Sequence, residues 1–378
     1  MASFGELLQL ARQFRRETQE ESAKKIGIRQ SNLSLYENNI LEPSADFIET
    51  AANHFQLPIS FFNINQTIYG TPISVNAMFR KNRTGLTKKE KNRVTAELNI
   101  RLIFLGKILD NVDVFNETNV PKLNIADFNS FDDIASAVRK HWNIPHGPIR
   151  NLTHLLENAG VIIEESDFNG APISGVTFTT PGRPPLILVN DTHPADRLRF
   201  TLAHELGHLI MHKTMTKEKE EEMEDEANTF ASSFLMPKHE LEQEFNSHRK
   251  INLELLAKLK LKWRVSMQSL IIRARQLGFL THNNERYLWQ QINKNNWRVR
   301  EPASLDFPVD HPTVIKSIIL THLENMGYSL NELISMSYTS ENDFFDFYSR
   351  YIIKPQKNKI TIKNVSGKFY TPYLKVVK

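Results

Sequence analysis

The sequence predicts an α+β chain that is mainly helical. An all-α N-terminal domain is followed by a domain in which a small sheet feeds a metal-binding helix, and then by a mixed C-terminal region. Three observations carry this reading. Apolar residues recur at helical spacing through the first sixty residues, with turn signals between them. Three short apolar runs between residues 161 and 190 have the length of strands. Directly after them, Arg199–His208 holds the pattern His-Glu-x-x-His inside a helical run.

At the N-terminus, Leu7, Leu8, Ala11 and Phe14 define one helix. Thr18-Gln19-Glu20-Glu21 is a capping box that opens a second, which stops near Gly27. Arg29 to Glu37 forms a third, with Leu33 and Tyr36 inward, and Pro43-Ser44 starts a fourth. Farther on, Thr87–Leu109 reads as a helix. Val161-Ile162-Ile163, Ile173 to Thr180, and Pro185 to Asn190 read as strands. Pro194 to Lys213 reads as the helix that carries the histidines. Asp191 or Thr192 is its expected N-cap, and Leu198, Leu202, Leu206, Leu209 and Ile210 are its packing stripe. Residues 218–236 are acidic, then amphipathic, ending at Pro237. Two helices follow over Leu253 to Leu277, the second capped by Ser266. The expected segments are 1–64, 65–125 (a helical connector), 126–245, 246–300 (a helical extension) and 301–378, whose role is not legible.

His204 and His208 lie four residues apart, so about 40° apart on one helical face, and both imidazoles can reach one metal at about 2 Å. Glu205 beside them is placed as the base that takes a proton from water. A catalytic zinc needs a third protein ligand and an open position. His212 lies about 12 Å along the axis from His204 and cannot share an ion with it while the helix stays intact; a structural or supporting role fits it better. His-x-x-Gly-x-x-His is absent, which argues against the metzincin type. The acidic helix supplies the alternatives. Glu226 borders its apolar face, Glu222 points further toward solvent, and Glu224 borders the opposite edge. Spacing leaves open whether Glu226 is a ligand or a solvated charge.

Arg199–His212, followed by Glu226-Ala227-Asn228-Thr229-Phe230-Ala231 and Leu235-Met236-Pro237, resembles the ImmA/IrrE family of zinc metallopeptidases. Gly147–Leu152, Leu155–Gly160 and Arg300-Glu301-Pro302 resemble it too, so the similarity runs from about residue 70 to 305. The resemblance implies a zincin-like peptidase domain with Zn2+ held by His204, His208 and Glu226, and Glu205 as catalytic base. It also implies a protein substrate, a partner repressor whose cleavage releases transcription. Residues 4–62 resemble the Xre/Cro-type helix-turn-helix family through Thr18-Gln19-Glu20, Gly27-Ile28, Gln30-Ser31 and Tyr36-Glu37. That resemblance implies DNA binding through residues 1–62. Arg29, Gln30, Ser31, Asn32 and Ser34 would face the major groove, and Gln19 the backbone.

Charge argues partly against the DNA reading. Residues 1–62 hold six Lys/Arg and eight Asp/Glu, a net charge of −2, and Leu35 projects from the reading helix. The alternative is a helix-turn-helix that binds protein: a second copy in a homodimer, or the similar domain of a substrate repressor. Basic residues concentrate instead in 71–110, including Arg80, Lys81 and Arg83, and in 353–378, which holds seven lysines and no acid. Ile360-Thr361-Ile362 and Leu374–Val377 alternate like edge strands. The chain has no cysteine, which excludes disulfides and thiolate zinc ligands and suits a reducing cytoplasm. No apolar run is long enough to span a bilayer, and no signal segment is expected. The expected function is a zinc endopeptidase fused to a DNA-binding helix-turn-helix. The competing reading is a transcriptional regulator, or a toxin–antitoxin component, whose peptidase fold serves as sensor or partner-binding module.

Overall fold

The computed structural model describes residues 2–70, 87–114, 118–212, 220–352 and 374–376. Two compact units result: residues 1–115 with 314–378, and residues 116–313. The five expected segments are thereby regrouped. The connector helix and the chain after residue 313 join the N-terminal helices, and the helical extension joins the metal-binding domain.

In the first unit, α1 (Phe4–Phe14), α2 (Gln19–Ile26), α3 (Gln30–Glu37) and α4 (Ala45–Phe55) surround Leu8, Ala11, Leu33, Ala51 and Phe55, all fully buried. The Thr18 capping box forms with Glu21, and Gly27 ends α2 at φ 83°, a left-handed turn that favours glycine. Gly5 has no freedom to grow: a Cβ there would lie 2.4 Å from the Glu37 carbonyl oxygen. Arg12 grips Glu37 with two charge-assisted hydrogen bonds of 2.6 and 2.8 Å.

The helix α5 (Lys88–Ile108) is buried along most of its length and packs on α1. After α14 (Val314–Leu320), the helices α15 (Leu330–Ser337) and α16 (Glu341–Tyr348) complete this unit. Arg15 makes a bidentate pair with Asp343, both contacts at 2.7 Å. The Phe14 and Phe347 rings meet edge-on at 6.0 Å, and the Arg93 guanidinium sits 3.9 Å above Phe14. The C-terminal region, silent in the sequence, is therefore in part a buttress for the helix-turn-helix. Strand β1 (Val112–Val114) pairs antiparallel with β5 (Leu374–Val376). The basic residues Arg80, Lys81 and Arg83 and the expected strand at 360–362 lie outside the described residues.

The second unit holds the sheet. Strands β2 (Ile162–Ser166), β3 (Gly175–Phe178) and β4 (Leu186–Asn190) run in the order β2-β4-β3. β2 and β4 are parallel, and β3 pairs antiparallel with β4. Helices α6 (Phe131–His141) and α7 (Leu152–Asn158) precede the sheet; α8 (Ala195–Met211), α9 (Glu220–Leu235) and α10 (Lys238–Asn246) follow it. One core unites Ile163, Ile187 and Val189 of the sheet with Leu198, Leu202, Leu206 and Leu209 of α8 and with Phe230 and Phe234 of α9. The same core takes in Leu270, Ile271 and Ala274 of α12 (Met267–Gln276), which follows α11 (Leu253–Trp263), and Leu288 and Ile292 of α13 (His282–Lys294). The expected N-cap of α8 is corrected: Pro194 occupies that position, without a side-chain cap. Thr192 instead turns back, its N–H and hydroxyl both donating to Asn190 Oδ1. Arg199 fixes α8 from the side, donating to Asp310 at 2.8 Å and to the Ile149 carbonyl at 2.6 Å.

Candidate metal centre

Two glycines decide the geometry. A Cβ on Gly175 would fall 2.5 Å from Thr201 Cγ2, so glycine lets β3 run close against α8. A Cβ on Gly207 would lie 3.1 Å from the Phe230 ring and 3.3 Å from Ala227 Cα, so α8 and α9 cross almost backbone to backbone. His204 and His208 lie three residues before and one after Gly207; Glu224 and Asn228 stand in the same relation to Ala227. At 100° per residue, Glu224 and Asn228 are about 60° and 100° to one side of Ala227, and Glu226 is about 100° to the other. The crossing therefore turns Glu224 and Asn228 toward the two histidines.

His204 Nε2 and His208 Nε2 are 3.0 Å apart. Glu224 spans both, with Oε2 at 3.4 Å from His204 Nε2 and Oε1 at 3.3 Å from His208 Nε2. Donor atoms about 2.1 Å from a tetrahedral ion lie about 3.4 Å from one another. The three separations fit that figure, and two imidazoles with one carboxylate are a donor set that zinc accepts. Among the described residues, this is the cluster of His, Asp and Glu that could hold an ion. The carboxylate brought to the imidazoles is thus Glu224 and not the expected Glu226. Glu226 Oε2 lies 2.9 Å from His212 Nε2. Glu222 is exposed.

The other ring nitrogens are also engaged. His204 Nδ1 is 2.9 Å from Asn228 Oδ1, and His208 Nδ1 is 2.9 Å from His212 Nδ1. Burial alone would raise the Glu224 carboxyl, but hydrogen bonds from His204 and His208 outweigh it and bring it down to about 2. Burial alone would lower His204, yet its hydrogen bond to Glu224 and the charges of Glu205 and Glu224 hold it above its usual range. Burial, and then the neighbouring His208, push His212 down to about 4. The Glu224 carboxyl is thus held in its anionic form beside the two imidazoles.

Glu205 is 2 % exposed and points to the sheet side, where Thr177 of β3 donates to its Oε2 at 2.6 Å. Thr177 and Asn228 were not given a role by sequence reasoning, and Glu224 was weighed there only as a residue on the opposite edge of the acidic helix. The signal for Glu224 and Asn228 was present: a Glu and an Asn four apart on the acidic helix mirror the two histidines across a glycine–alanine contact.

In the helix-turn-helix, Arg29, Gln30, Ser31 and Asn32 are exposed, while Ser34 and Gln19 are half-buried. Gln19 Nε2 donates to Glu37 Oε2 and its Oε1 accepts from Gln30 Nε2, both at 2.8 Å. Those two side chains are thereby held in place at the start of α3. Leu35 is exposed on the same helix.

No helix among the described residues is long and apolar enough to cross a membrane. Comparison with curated proteins finds no match. Residues 156–275 match the family model described as the IrrE N-terminal-like domain, Peptidase_M78, and residues 8–62 match the helix-turn-helix model. The polypeptide joins a helix-turn-helix segment of Xre/Cro type to a peptidase segment of ImmA/IrrE type.

Proposed function

We propose that this protein is a cytoplasmic zinc-dependent endopeptidase that cleaves a partner repressor or regulator, and that its helix-turn-helix binds DNA and confines this cleavage to transcriptional control. The observation that carries the peptidase reading is the triangle of His204 Nε2, His208 Nε2 and the Glu224 carboxylate, whose sides of 3.0, 3.4 and 3.3 Å suit one tetrahedral ion. These three residues would hold the ion. When bound, zinc supplies Lewis acidity, polarising a carbonyl and acidifying water.

The remaining chemistry belongs to the chain itself. Glu205 accepts the proton of the attacking water and delivers it to the leaving amine. The Thr177 hydroxyl holds Glu205 Oε2, which fixes the carboxylate and leaves Oε1 for the proton. Among the described residues β3 is an edge of its sheet, so an extended substrate can add to it as a further strand and run past Glu205. Burial of Glu205 and His208 keeps bulk water from competing for these groups.

A proteome-derived peptide library tests this reading. Cleavage is expected with the zinc-loaded protein, to vanish with a chelator and to return on adding zinc. Cleavage indifferent to the chelator, or none at full zinc occupancy, overturns it. For the DNA arm, selection from a random duplex pool should enrich one sequence. Asn32→Ala should then weaken binding by about 1–3 kcal/mol and relax preference at one position, as read by fluorescence anisotropy at fixed salt. A pool that emerges unenriched contradicts DNA reading and favours a protein partner for α3.

A further inference from the structure

We infer that His212 and Glu226 are positioning residues, forming with His208 a hydrogen-bonded chain that fixes the proton and ring orientation of that ligand. The inference rests on the metal-site reading above and concerns residues that reading leaves without a role. The argument is one of tautomers. A neutral imidazole that presents Nε2 to an ion carries its hydrogen on Nδ1. His208 turns Nε2 toward His204 and Glu224, so Nδ1–H faces His212 Nδ1 at 2.9 Å. Two ring nitrogens bond only when one of them carries the hydrogen. His212 Nδ1 is then the acceptor, and its own hydrogen sits on Nε2. That atom faces Glu226 Oε2 at 2.9 Å, a carboxylate able to accept it. One assignment satisfies both contacts, and it ends on a charge.

The backbone supports the arrangement. His212 is the C-cap of α8, with φ −106° and ψ 80°, so the chain leaves helical geometry at this residue. Its N–H still bonds the His208 carbonyl at 3.1 Å, which keeps the two rings in register. The His212 side chain is 3 % exposed, compared with 20 % for Glu226, so the chain runs outward from the ion. The other ligand is held differently: His204 Nδ1 meets the neutral amide oxygen of Asn228. The site therefore has one ligand set by an amide and one by an imidazole backed by a carboxylate. Such supporting hydrogen bonds raise ligand basicity, and losing them typically costs about 10- to 100-fold in metal affinity.

The experiment measures zinc affinity by competition with a chromophoric chelator, together with the visible spectrum of the cobalt-substituted protein and the Tm of the metal-free protein. His212→Phe and Glu226→Ala are expected to weaken zinc binding by about 10- to 100-fold and about 10-fold respectively, and to alter the cobalt spectrum. His212→Gln, whose amide oxygen can accept from His208 Nδ1–H, should recover part of the loss. Should His212→Phe fail to fold, Glu226→Ala at its more exposed position decides. Wild-type affinity and spectrum in a folded Glu226→Ala and His212→Phe would overturn the chain. Failure of the underlying site looks different: His204→Ala would then bind zinc as tightly as wild type.

Discussion

Glu205→Gln is expected to bind zinc as the wild type does and to lose peptide cleavage by about 100- to 10,000-fold in kcat. The substitution is nearly isosteric. The amide oxygen can still accept from Thr177, whose hydroxyl lies 2.6 Å from Glu205 Oε2, so the local packing is preserved. What is lost is the ability to take a proton, because an amide nitrogen is no base at neutral pH. Metal content separates this from damage to the site, since His204, His208 and Glu224 are untouched. Zinc stoichiometry at wild-type level with a collapsed kcat supports the assignment. Cleavage at the wild-type rate contradicts it.

The second large effect discriminates between two glutamates that are two residues apart. Glu224→Ala removes one of three protein donors. A structural zinc is worth about 10–16 kcal/mol over about four ligands, so one of them carries about 3 kcal/mol, or about 100- to 1,000-fold in Kd. Glu226→Ala leaves all three donors in place and removes only the acceptor behind His212, so its loss should be about 10-fold. The metal-free proteins should both fold. Glu224 is paired with the two imidazoles, which can become neutral when it is removed, so no buried charge is left unpaired. Equal losses in the two variants, or the larger one in Glu226→Ala, would return the ligand role to Glu226.

The comparison between these glutamates shows how far the sequence reached. His204, Glu205 and His208 were legible because their spacing is local: four residues on one helix define a face without reference to anything else. The third donor depends on how α9 is rotated against α8. That rotation is set by the Gly207–Ala227 contact, in which a Cβ on Gly207 would come within 3.3 Å of Ala227 Cα. Hydrophobic periodicity placed Ala227, Phe230 and Phe234 inward, but it could not say which flank of that stripe faced the histidines. Resemblance pointed to Glu226, whereas the structure sets Glu224 against the two histidines and Glu226 against His212.

The helix starts at Thr18, Ser44, Thr87 and Ser266 could be read from caps, which need only nearby residues. Pro194 was harder: Thr192 offered a capping side chain, and only the structure shows it spent on Asn190. The C-terminal helices were illegible as a partner of the helix-turn-helix because Arg15 and Asp343 stand 328 residues apart. No periodic pattern reports a pairing across such a distance.

The most direct test is anomalous scattering at the zinc absorption edge from crystals of the zinc-loaded protein. The account predicts one strong peak within about 2.1 Å of His204 Nε2, His208 Nε2 and a Glu224 carboxylate oxygen, with Glu226 remaining on His212. A peak coordinated by Glu226 instead, or no peak between the two histidines after incubation with zinc, would contradict it.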